Sequence, residues 1–499
     1  MFRLFVISLF SLSFLVSEAQ YNYDLNQNCR NAYSAVISLK FEEGKKLIDA
    51  EKIADPDNNI PYLIEHYIYF LTLFIGEKES DFDELEDFHD DIVDRLKDGD
   101  ESSPYYRYSL AQVNLQWAFA GVKFKEYVSA TLEVNKAYRL LEKNNEEFPG
   151  FLPNKINLGL MHTLIGTIPD KYSWIKKMVG IEGTIDQGTT EILEVLDASL
   201  HNDDYNIYKA ECLFYLSFIQ LNLSADKKKA LDYIEFINAD KNNTSPNPLI
   251  VYAMARIYMG NGMNDKAIEL LLSRPLSDEY YPFHYLDYLT GLAKLQRLDK
   301  DADIYFKKYI AEFEGINYIK AAYQKIAWHH LMFLSIEKYK EYISMVENHG
   351  NDIIDADKQA EREAEKNEVP NPVLLKARVA FDGGYYELAL AELTGIQRNF
   401  LVTPKDSLEY TYRIGRVYDG LEKPNQAMAF YKMTIEDGAD SEYYFAANAA
   451  LKTGIIYEQQ GNKEQAAIYY RKAMNMENEE YKNSIDQKAK AGLNRVENN

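Results

Sequence analysis

The sequence has few of the residues that mark several large classes of protein. It contains 2 Cys among 499 residues, too few for a disulfide framework or a paired CxxC metal site. Basic residues are also scarce, with 55 Lys and Arg against 78 Asp and Glu and a formal net charge of −23. Because affinity for nucleic-acid phosphates comes from Lys and Arg, this balance argues against a nucleic-acid partner.

Catalytic motifs are missing as well. The sequence has no zincin helix motif, no Walker A loop and no G-x-S-x-G elbow. Asp299 begins a segment that imitates a calcium loop, but Ile304 and Ile310 stand where that loop requires Gly and Glu. We therefore expect no enzymatic activity, no metal site and no cofactor.

Long hydrophobic runs are absent after the first residues. Arg3 precedes an apolar run over 4–16, and the small residues Ser17 and Ala19 follow it, which is the pattern of a secretory signal peptide cleaved after Ala19. An uncleaved anchor is the alternative, but the run is shorter than the roughly 20 residues that cross a bilayer. The prediction is a secreted or periplasmic protein without an integral membrane segment, with peripheral envelope association possible in principle.

The two cysteines leave two interpretations open. Cys29 and Cys212 are compatible with one disulfide in an oxidising compartment, and equally with two buried thiols. The composition, rich in Lys, Asn, Tyr and Glu, is typical of low-GC bacteria and resembles that of the Bacteroidetes.

The most informative feature present is an internal repeat. Two segments in the last quarter of the chain align without gaps at a distance of 39 residues. Each contains a small residue, an aromatic, an alanine and a second aromatic at matching positions. These are Gly415, Tyr418, Ala427 and Tyr431 in the first segment and Gly454, Tyr457, Ala466 and Tyr470 in the second. The small residue allows two helices to approach closely, and the aromatics fill the space between them. This spacing resembles the tetratricopeptide repeat.

The same small position recurs towards the N-terminus at Ala377, Ala327, Gly291 and Ala255. The interval between Ala327 and Ala377 is longer than the others and contains a charged segment within Asn348–Glu368, which we predict to be an exposed extra helix. The resemblance to tetratricopeptide repeats covers about residues 205–480. It implies an all-α solenoid of helix pairs that binds partners on its concave face.

The predicted organisation has four parts: the signal peptide at 1–19, a divergent helical region at 20–200, tetratricopeptide-like repeats at 201–485, and a polar C-terminal cap or tail at 486–499. Residues 152–189 contain several glycines and prolines, which favour short helices and turns. We interpret this segment as an insertion that closes the solenoid, with Trp174 and Met178 packed into a neighbouring helix pair. A ligand pocket is the alternative. This segment and Phe381–Leu393 weakly resemble a eukaryotic tetratricopeptide family linked to clearance of inclusion bodies. That resemblance carries no catalytic motif.

Candidate binding residues follow from the repeat register. In tetratricopeptide solenoids, the residue after the small position and the residue three before it face the groove. The first position holds Arg256, Arg378 and Arg416, and the second holds Tyr252 and Tyr412. Guanidinium groups bind carboxylates through two parallel hydrogen bonds, so this arrangement predicts a strip that grips an acidic ligand. The alternative is that the arginines only neutralise acids on neighbouring helices.

The predicted function is therefore a non-enzymatic scaffold that binds a protein or peptide with acidic groups. A glycan- or small-molecule-binding solenoid, similar to the SusD-type outer-membrane receptors, is the alternative. The sequence departs from that group because no cysteine stands at the predicted cleavage site for lipid attachment.

Overall fold

The computed structural model describes residues 21–167, 180–223, 227–239, 247–333, 335–396 and 401–497. Apart from two isolated bridges and two short 3-10 turns, the regular secondary structure in these ranges is α-helical. The predicted all-α class is confirmed. Within the same ranges, no helix combines the length and apolar character that a membrane crossing would need. The predicted signal peptide at 1–19 lies outside the described residues, as do Trp174 and Met178.

The chain divides into two compact units. The first contains Met1–Phe74, Ser80–Cys212 and Glu279–Tyr281, and the second contains Ile75–Glu79, Leu213–Asp278 and Pro282–Asn499. The helices that begin in the first unit are α1 (Gln27–Ile37), α2 (Phe41–Ala54), α3 (Ile60–Gly76), α5 (Pro104–Lys123), α6 (Tyr127–Glu147), α7 (Asn154–Gly166), α8 (Ile185–His201) and α9 (Lys209–Asn222), with α4 (Glu79–Lys97) entering it at Ser80.

Close glycine contacts hold α7 against α8 inside the first unit. A Cβ on Gly159 would lie 2.6 Å from the carbonyl oxygen of Gly188, and a Cβ on Gly183 would lie 2.6 Å from the Cα of His162. Such distances leave no room for a side chain. The glycines of the predicted insertion at 152–189 therefore shape a helix pair where they are described.

Both cysteines are buried as free thiols in the first unit. Burial, reinforced by nearby carboxylates, raises the pKa of the Cys29 thiol to about 12. Since the thiolate is the reactive form, Cys29 is chemically inert at neutral pH. The structure therefore agrees with the second interpretation of the cysteines, two buried thiols.

A buried histidine pair joins three helices of the first unit. His66 Nδ1 lies 2.7 Å from Gln116 Oε1, and His66 Nε2 lies 2.9 Å from His89 Nδ1. The His89 ring stacks on Trp117 with 4.5 Å between centroids. Burial lowers the pKa of His66 to about 4, and burial together with the neighbouring His66 lowers the pKa of His89. Both rings are therefore neutral in the folded protein at pH 7.

Acid is expected to destabilise the first unit through this pair. The unfolded chain takes up a proton on His66 near pH 6.5 and the folded chain only near pH 4, so stability is retained above pH 6.5 and is lost as the pH falls. At pH 4.5 the loss from His66 amounts to about 2.5 kcal/mol. To measure this loss, the free energy of unfolding in urea is determined for wild type and His66→Gln between pH 7.5 and about 4.5 and plotted against pH. The difference between the two curves gives the contribution of His66. Parallel curves would contradict the prediction.

The second unit is a succession of helix pairs. Its helices are α10 (Ala230–Ala239), α11 (Pro248–Gly260), α12 (Asn264–Leu272), α13 (Tyr285–Gln296), α14 (Ala302–Glu312), α15 (Ile319–Phe333), α16 (Ile336–Asn348), α17 (Asp355–Lys366), α18 (Pro372–Asp382), α19 (Tyr386–Thr394), α20 (Pro404–Gly420), α21 (Pro424–Asp437), α22 (Phe445–Gln459), α23 (Lys463–Asn475) and α24 (Lys482–Glu497). Each pair packs internally and against the next, as expected for stacked repeats.

The small positions lie where the sequence places them, between paired helices. A Cβ on Gly415 would lie 2.6 Å from the ring of Tyr431, and a Cβ on Gly454 would lie 2.8 Å from the ring of Tyr470. Both tyrosines are fully buried. The close approach inferred from the repeat is therefore present in both pairs.

The C-terminal segment continues this pattern. Residues 486–497 of the predicted tail belong to α24, whose Ala489 and Val496 are buried. A Cβ on Gly492 would lie 2.4 Å from the ring of Tyr470, on a second helix packed against that ring. Gly492 stands 38 positions after Gly454, so it is one more small residue of the series, beyond those predicted from the repeat.

The charged helix α17 is less exposed than predicted. Asp357, Ala360 and Ala364 form a buried face. Asp357 accepts hydrogen bonds from the backbone N–H groups of Tyr318 and Ala321 at 2.7 and 2.8 Å. Because these N–H groups belong to the start of α15, the carboxylate caps that helix and holds α17 against it.

Candidate functional site

A small cavity opens between the first helices of successive pairs in the second unit. Its volume is about 160 Å³, and its walls come from α18, α20 and the residue before α22: Ala377, Arg378, Phe381, Asp382, Tyr412, Arg413, Arg416, Val417 and Tyr444. Three guanidinium groups and one carboxylate converge there. The volume is below the roughly 300 Å³ at which sites for drug-sized ligands begin, and suits a single side chain or terminal group.

Local sequence explains why α18 and α20 start where they do. Asn371 precedes α18 and its side chain accepts from the backbone N–H groups of the first turn, with Pro372 at the first helical position. Thr403 and Asp406 form a capping box at the start of α20. These caps satisfy the free N–H groups and fix where each helix begins. Arg378 and Arg416 line the cavity from these two helices.

Arg416 contacts two aromatic residues of the cavity wall. Its guanidinium carbon is 4.5 Å from the centroid of the Phe381 ring, and its Nη1 donates to the hydroxyl of Tyr412 at 3.1 Å. Its Nε–H is buried and has no hydrogen-bond partner among the described residues. An unpaired buried donor costs about 1–3 kcal/mol, so this group is poised to donate to a ligand.

Arg378 shares an aromatic ring with a lysine. Its guanidinium carbon lies 4.9 Å from the centroid of Trp328, and the Nζ of Lys325 lies 3.5 Å from the same centroid. Burial, and after it the charge of Arg378, lowers the pKa of Lys325 to about 7. The carboxylate of Glu363 is occupied by Trp328 Nε1 and Gln324 Nε2, each at 2.7 Å.

A second lysine extends the positive surface beyond the cavity. Burial, and after it the charge of Arg416, lowers the pKa of Lys452 on α22. Its nearest carboxylate oxygen belongs to Asp419, 3.7 Å away. We call the set Lys325, Arg378, Arg413, Arg416 and Lys452 the cationic strip.

The predicted site residues divide into two groups. Arg378, Arg416 and Tyr412 meet at the cavity, although Tyr412 is buried and contributes only its wall and its hydroxyl. Arg256 and Tyr252 do not line it. Arg256 lies instead among the hydroxyls of Tyr285, Tyr252 and Tyr318 and hydrogen bonds to Tyr285.

Three residues of the cationic strip were missed in the sequence. Arg413, Lys325 and Lys452 each stand two positions before a small residue of the repeat. That position lies three residues from the one that holds Arg378 and Arg416, hence on the same helix face. The repeat register therefore places basic residues at two positions of this face, two residues before and one residue after the small residue.

One cluster in the described ranges has the geometry of a metal site. His284, Asp287 and Glu312 bring their ligand atoms within 4.8 Å of one another. However, Asp287 forms ion pairs with Arg274 and Lys308, and Lys308 also lies 3.8 Å from Glu312. Because these cations already balance the carboxylates, the cluster fits a structural ion-pair network.

Comparison with known proteins identifies one repeat. Residues 447–480 match the family model described as Tetratricopeptide repeat. The match spans α22 and α23, the pair that contains Gly454 and Tyr470. It confirms the repeat predicted there, and with the helix pairs of the second unit it supports a scaffold for protein–protein interaction.

Solved structures give looser similarities. The TPR domain of P58(IPK) aligns over 84% of this chain and 98% of its own at 14% identity and a TM-score of 0.23. Yeast Tom70 aligns over 93% of this chain and 96% of its own at 12% identity and a TM-score of 0.21. Scores this low carry no inference about shape or function. No curated protein matches the sequence.

Proposed function

We propose that this protein is a non-enzymatic scaffold that binds an acidic segment of a partner protein on the cationic strip. The observation that carries the proposal is a set of basic groups without carboxylate partners. Arg378 and Arg416 carry its permanent charge, whereas Lys325, with a pKa of about 7 and a hydrogen bond from its Nζ to Gln324 Oε1 at 2.7 Å, is only partly protonated at neutral pH. None of Lys325, Arg378 and Arg416 forms an ion pair with a carboxylate among the described residues, in a chain whose net charge is −23. Half-buried cations that the protein leaves unpaired favour a ligand that supplies carboxylates.

The proposed location is outside the cytoplasm. Arg3, the apolar run that follows it and the small residue Ala19 support secretion to the periplasm or beyond, with residues 1–19 removed. A peripheral association with the cell envelope is compatible with this location.

Charge reversal at the cavity tests the binding proposal. Arg378→Glu combined with Arg416→Glu should weaken binding of a fluorescein-labelled hexaglutamate peptide by about 100-fold, because two charge-assisted hydrogen-bonding groups are replaced by repulsive ones. Fluorescence anisotropy at low salt measures the loss. Competition between the labelled peptide and a neutral oligosaccharide distinguishes an acidic-peptide site from a glycan site, because the oligosaccharide should displace the peptide only from a glycan site.

A matched control separates the cavity from net charge. Arg362 and Lys340 are exposed in the same unit, and replacing both with Glu changes the net charge by the same amount. This control should retain nearly wild-type affinity. Arg378→Gln with Arg416→Gln serves as a second variant if the Glu pair melts early. Equal losses in the control and the cavity variants, or no loss in either cavity variant, would overturn the proposal.

A further inference from the structure

Lys325 and Arg378 share one aromatic ring. The Nζ of Lys325 lies 3.5 Å from the centroid of Trp328, and the guanidinium carbon of Arg378 lies 4.9 Å from the same centroid. The two basic groups are therefore separated by no more than the sum of these distances. At such a separation two positive charges still repel each other at physiological ionic strength. The shared ring thus couples the protonation of an amine on α15 to the charge of a guanidinium on α18.

No carboxylate among the described residues relieves this repulsion by pairing with Lys325. Its Nζ donates to the neutral amide oxygen of Gln324 at 2.7 Å. Glu363 on α17 reaches the same region, but each of its carboxylate oxygens already accepts a hydrogen bond at 2.7 Å, one from Trp328 Nε1 and the other from Gln324 Nε2. The amine is therefore held between a ring, an amide and a guanidinium.

Burial and repulsion together leave this amine partly protonated at neutral pH. They lower the pKa of Lys325 to about 7, burial being the larger cause and the charge of Arg378 the second. Glu363 and Asp357 on α17 and Asp382 on α18 act in the opposite direction. A lysine side chain in water is fully protonated at this pH. Lys325 can therefore gain or lose a proton where an ordinary lysine cannot.

The charged groups on the other helices packed against α15 have partners of their own. Asp303 on α14 pairs with Lys307, Lys338 on α16 pairs with Glu341, and on α13 Asp287 pairs with Arg274 and Lys294 with Asp299. On α15 itself, burial lowers the pKa of His329 and of His330, so both rings are neutral above pH 6.5. Arg378 is therefore the unpaired cation to which Lys325 responds.

A carboxylate bound at the cavity changes this balance. Arg378 and Arg416 line the same cavity of about 160 Å³, which suits one acidic side chain. A carboxylate paired with Arg378 places a negative charge beside the guanidinium that disfavours the protonated amine. The protonated form of Lys325 then becomes more stable. By linkage, the proton on Lys325 favours the bound carboxylate by the same factor.

We infer that Lys325 takes up a proton when an acidic side chain of the partner protein binds Arg378, so that the partner is held more tightly below neutral pH than above it. This inference rests on the proposed function and specifies how the same site is regulated. Below pH 7 Lys325 carries its proton before and after binding, and the affinity is highest. As the pH rises through 7, the free protein loses this proton and the affinity falls.

The pH dependence of peptide binding tests the inference. The probe is hexaglutamate labelled with tetramethylrhodamine, because its carboxylates stay ionised from pH 6.5 to 8.5. If the proton and the carboxylate favour each other tenfold, the dissociation constant from fluorescence anisotropy should be about sixfold lower at pH 6.5 than at pH 8.5. Calorimetric titrations at pH 7.5 in phosphate and in Tris should then show uptake of about half a proton per bound peptide.

Two substitutions remove the titration of Lys325 in opposite states. Lys325→Met has no proton to gain and should bind the probe at both pH values about as wild type does at pH 8.5. Lys325→Arg is permanently charged and should bind at both pH values about as wild type does at pH 6.5. Lys340→Met, on the exposed surface of α16, is the matched control and should keep the pH dependence of wild type.

The possible failures are distinguishable. Equal wild-type affinities at pH 6.5 and 8.5, or a pH dependence that persists in both Lys325 variants, would overturn the inference and leave the proposed function standing. If the probe binds wild type no more tightly than the variant with Arg378→Glu and Arg416→Glu at either pH, the proposed function fails and the inference fails with it.

Discussion

Replacing Gly454 with leucine is expected to lower the free energy of unfolding of the second unit by about 3 kcal/mol. A Cβ at this position would lie 2.8 Å from the ring of Tyr470, and on another helix packed against that ring a Cβ on Gly492 would lie 2.4 Å away. The ring is fully buried and its hydroxyl hydrogen bonds to Glu458, so it has no space to move into. The added side chain must therefore separate α22 from α23.

Chemical denaturation followed by circular dichroism measures this effect, and hydrogen exchange of α23 locates it. Gly150→Leu is the matched control, because nothing lies within 4 Å of a Cβ built on Gly150. Gly492→Leu should destabilise the protein as Gly454→Leu does. If Gly454→Leu and Gly150→Leu unfold at the same denaturant concentration, the close contact at Tyr470 has no energetic importance.

Removing the carboxylate of Asp287 is the second change with a large expected effect. Asp287 and Arg274 form an ion pair in which both side chains are almost completely buried. Asp287→Ala leaves Arg274 buried without its carboxylate, and breaking a buried pair in this way costs about 3–5 kcal/mol. Arg274 keeps its hydrogen bond to the carbonyl of Leu271, which holds the charge inside the protein.

The corresponding double variant separates the unpaired charge from loss of packing. Asp287→Leu with Arg274→Met removes both charges and keeps apolar volume, so its stability should return to within about 1 kcal/mol of wild type. Lys308, which also contacts Asp287, is 41% exposed and can turn to water in that variant. A double variant as unstable as Asp287→Ala would show that packing, and not the unpaired charge, accounts for the loss.

The same principle distinguishes the ion-pair network at Asp287 from the cationic strip. Arg274 has a buried carboxylate partner within its own unit, whereas Arg378 and Arg416 contact aromatic rings and a tyrosine hydroxyl and form no ion pair among the residues that the structure describes. A cation that the fold needs for stability is paired by the fold. A cation left without a carboxylate beside a cavity is better explained by a ligand, and its binding should weaken as salt increases.

The repeat pattern predicted the helix pairs because its cause is local and steric. Gly415 with Tyr431 and Gly454 with Tyr470 each need a fixed spacing along the chain, and the spacing is visible in the sequence. Gly492 contacts the ring of Tyr470, which precedes it in the chain, so this contact does not have the glycine-before-tyrosine spacing of the other two pairs. A pattern that requires a complete helix pair therefore does not detect Gly492.

The cavity could be predicted only in part. The register placed Arg378 and Arg416 on one face, and the structure brings them together. It also placed Arg256 on that face, but Arg256 interacts with Tyr285 and Tyr318 from elsewhere in the chain as well as with Tyr252 of its own helix, and no repeat rule describes the first two contacts. Tyr412 follows the register too, yet its position three residues before the glycine belongs to the buried interior.

The sequence by itself determined that this chain is all α-helical, that its second unit is made of repeated helix pairs, and which face of those helices carries arginine. These properties depend on the spacing of residues along single helices. Only the tertiary structure decided which cations have carboxylate partners, because Arg274 meets Asp287 and Lys452 meets Asp419 across helices whose relative positions depend on packing. Whether a charge is paired is a property of the assembled helices, and that property distinguishes the cationic strip from the rest of the surface.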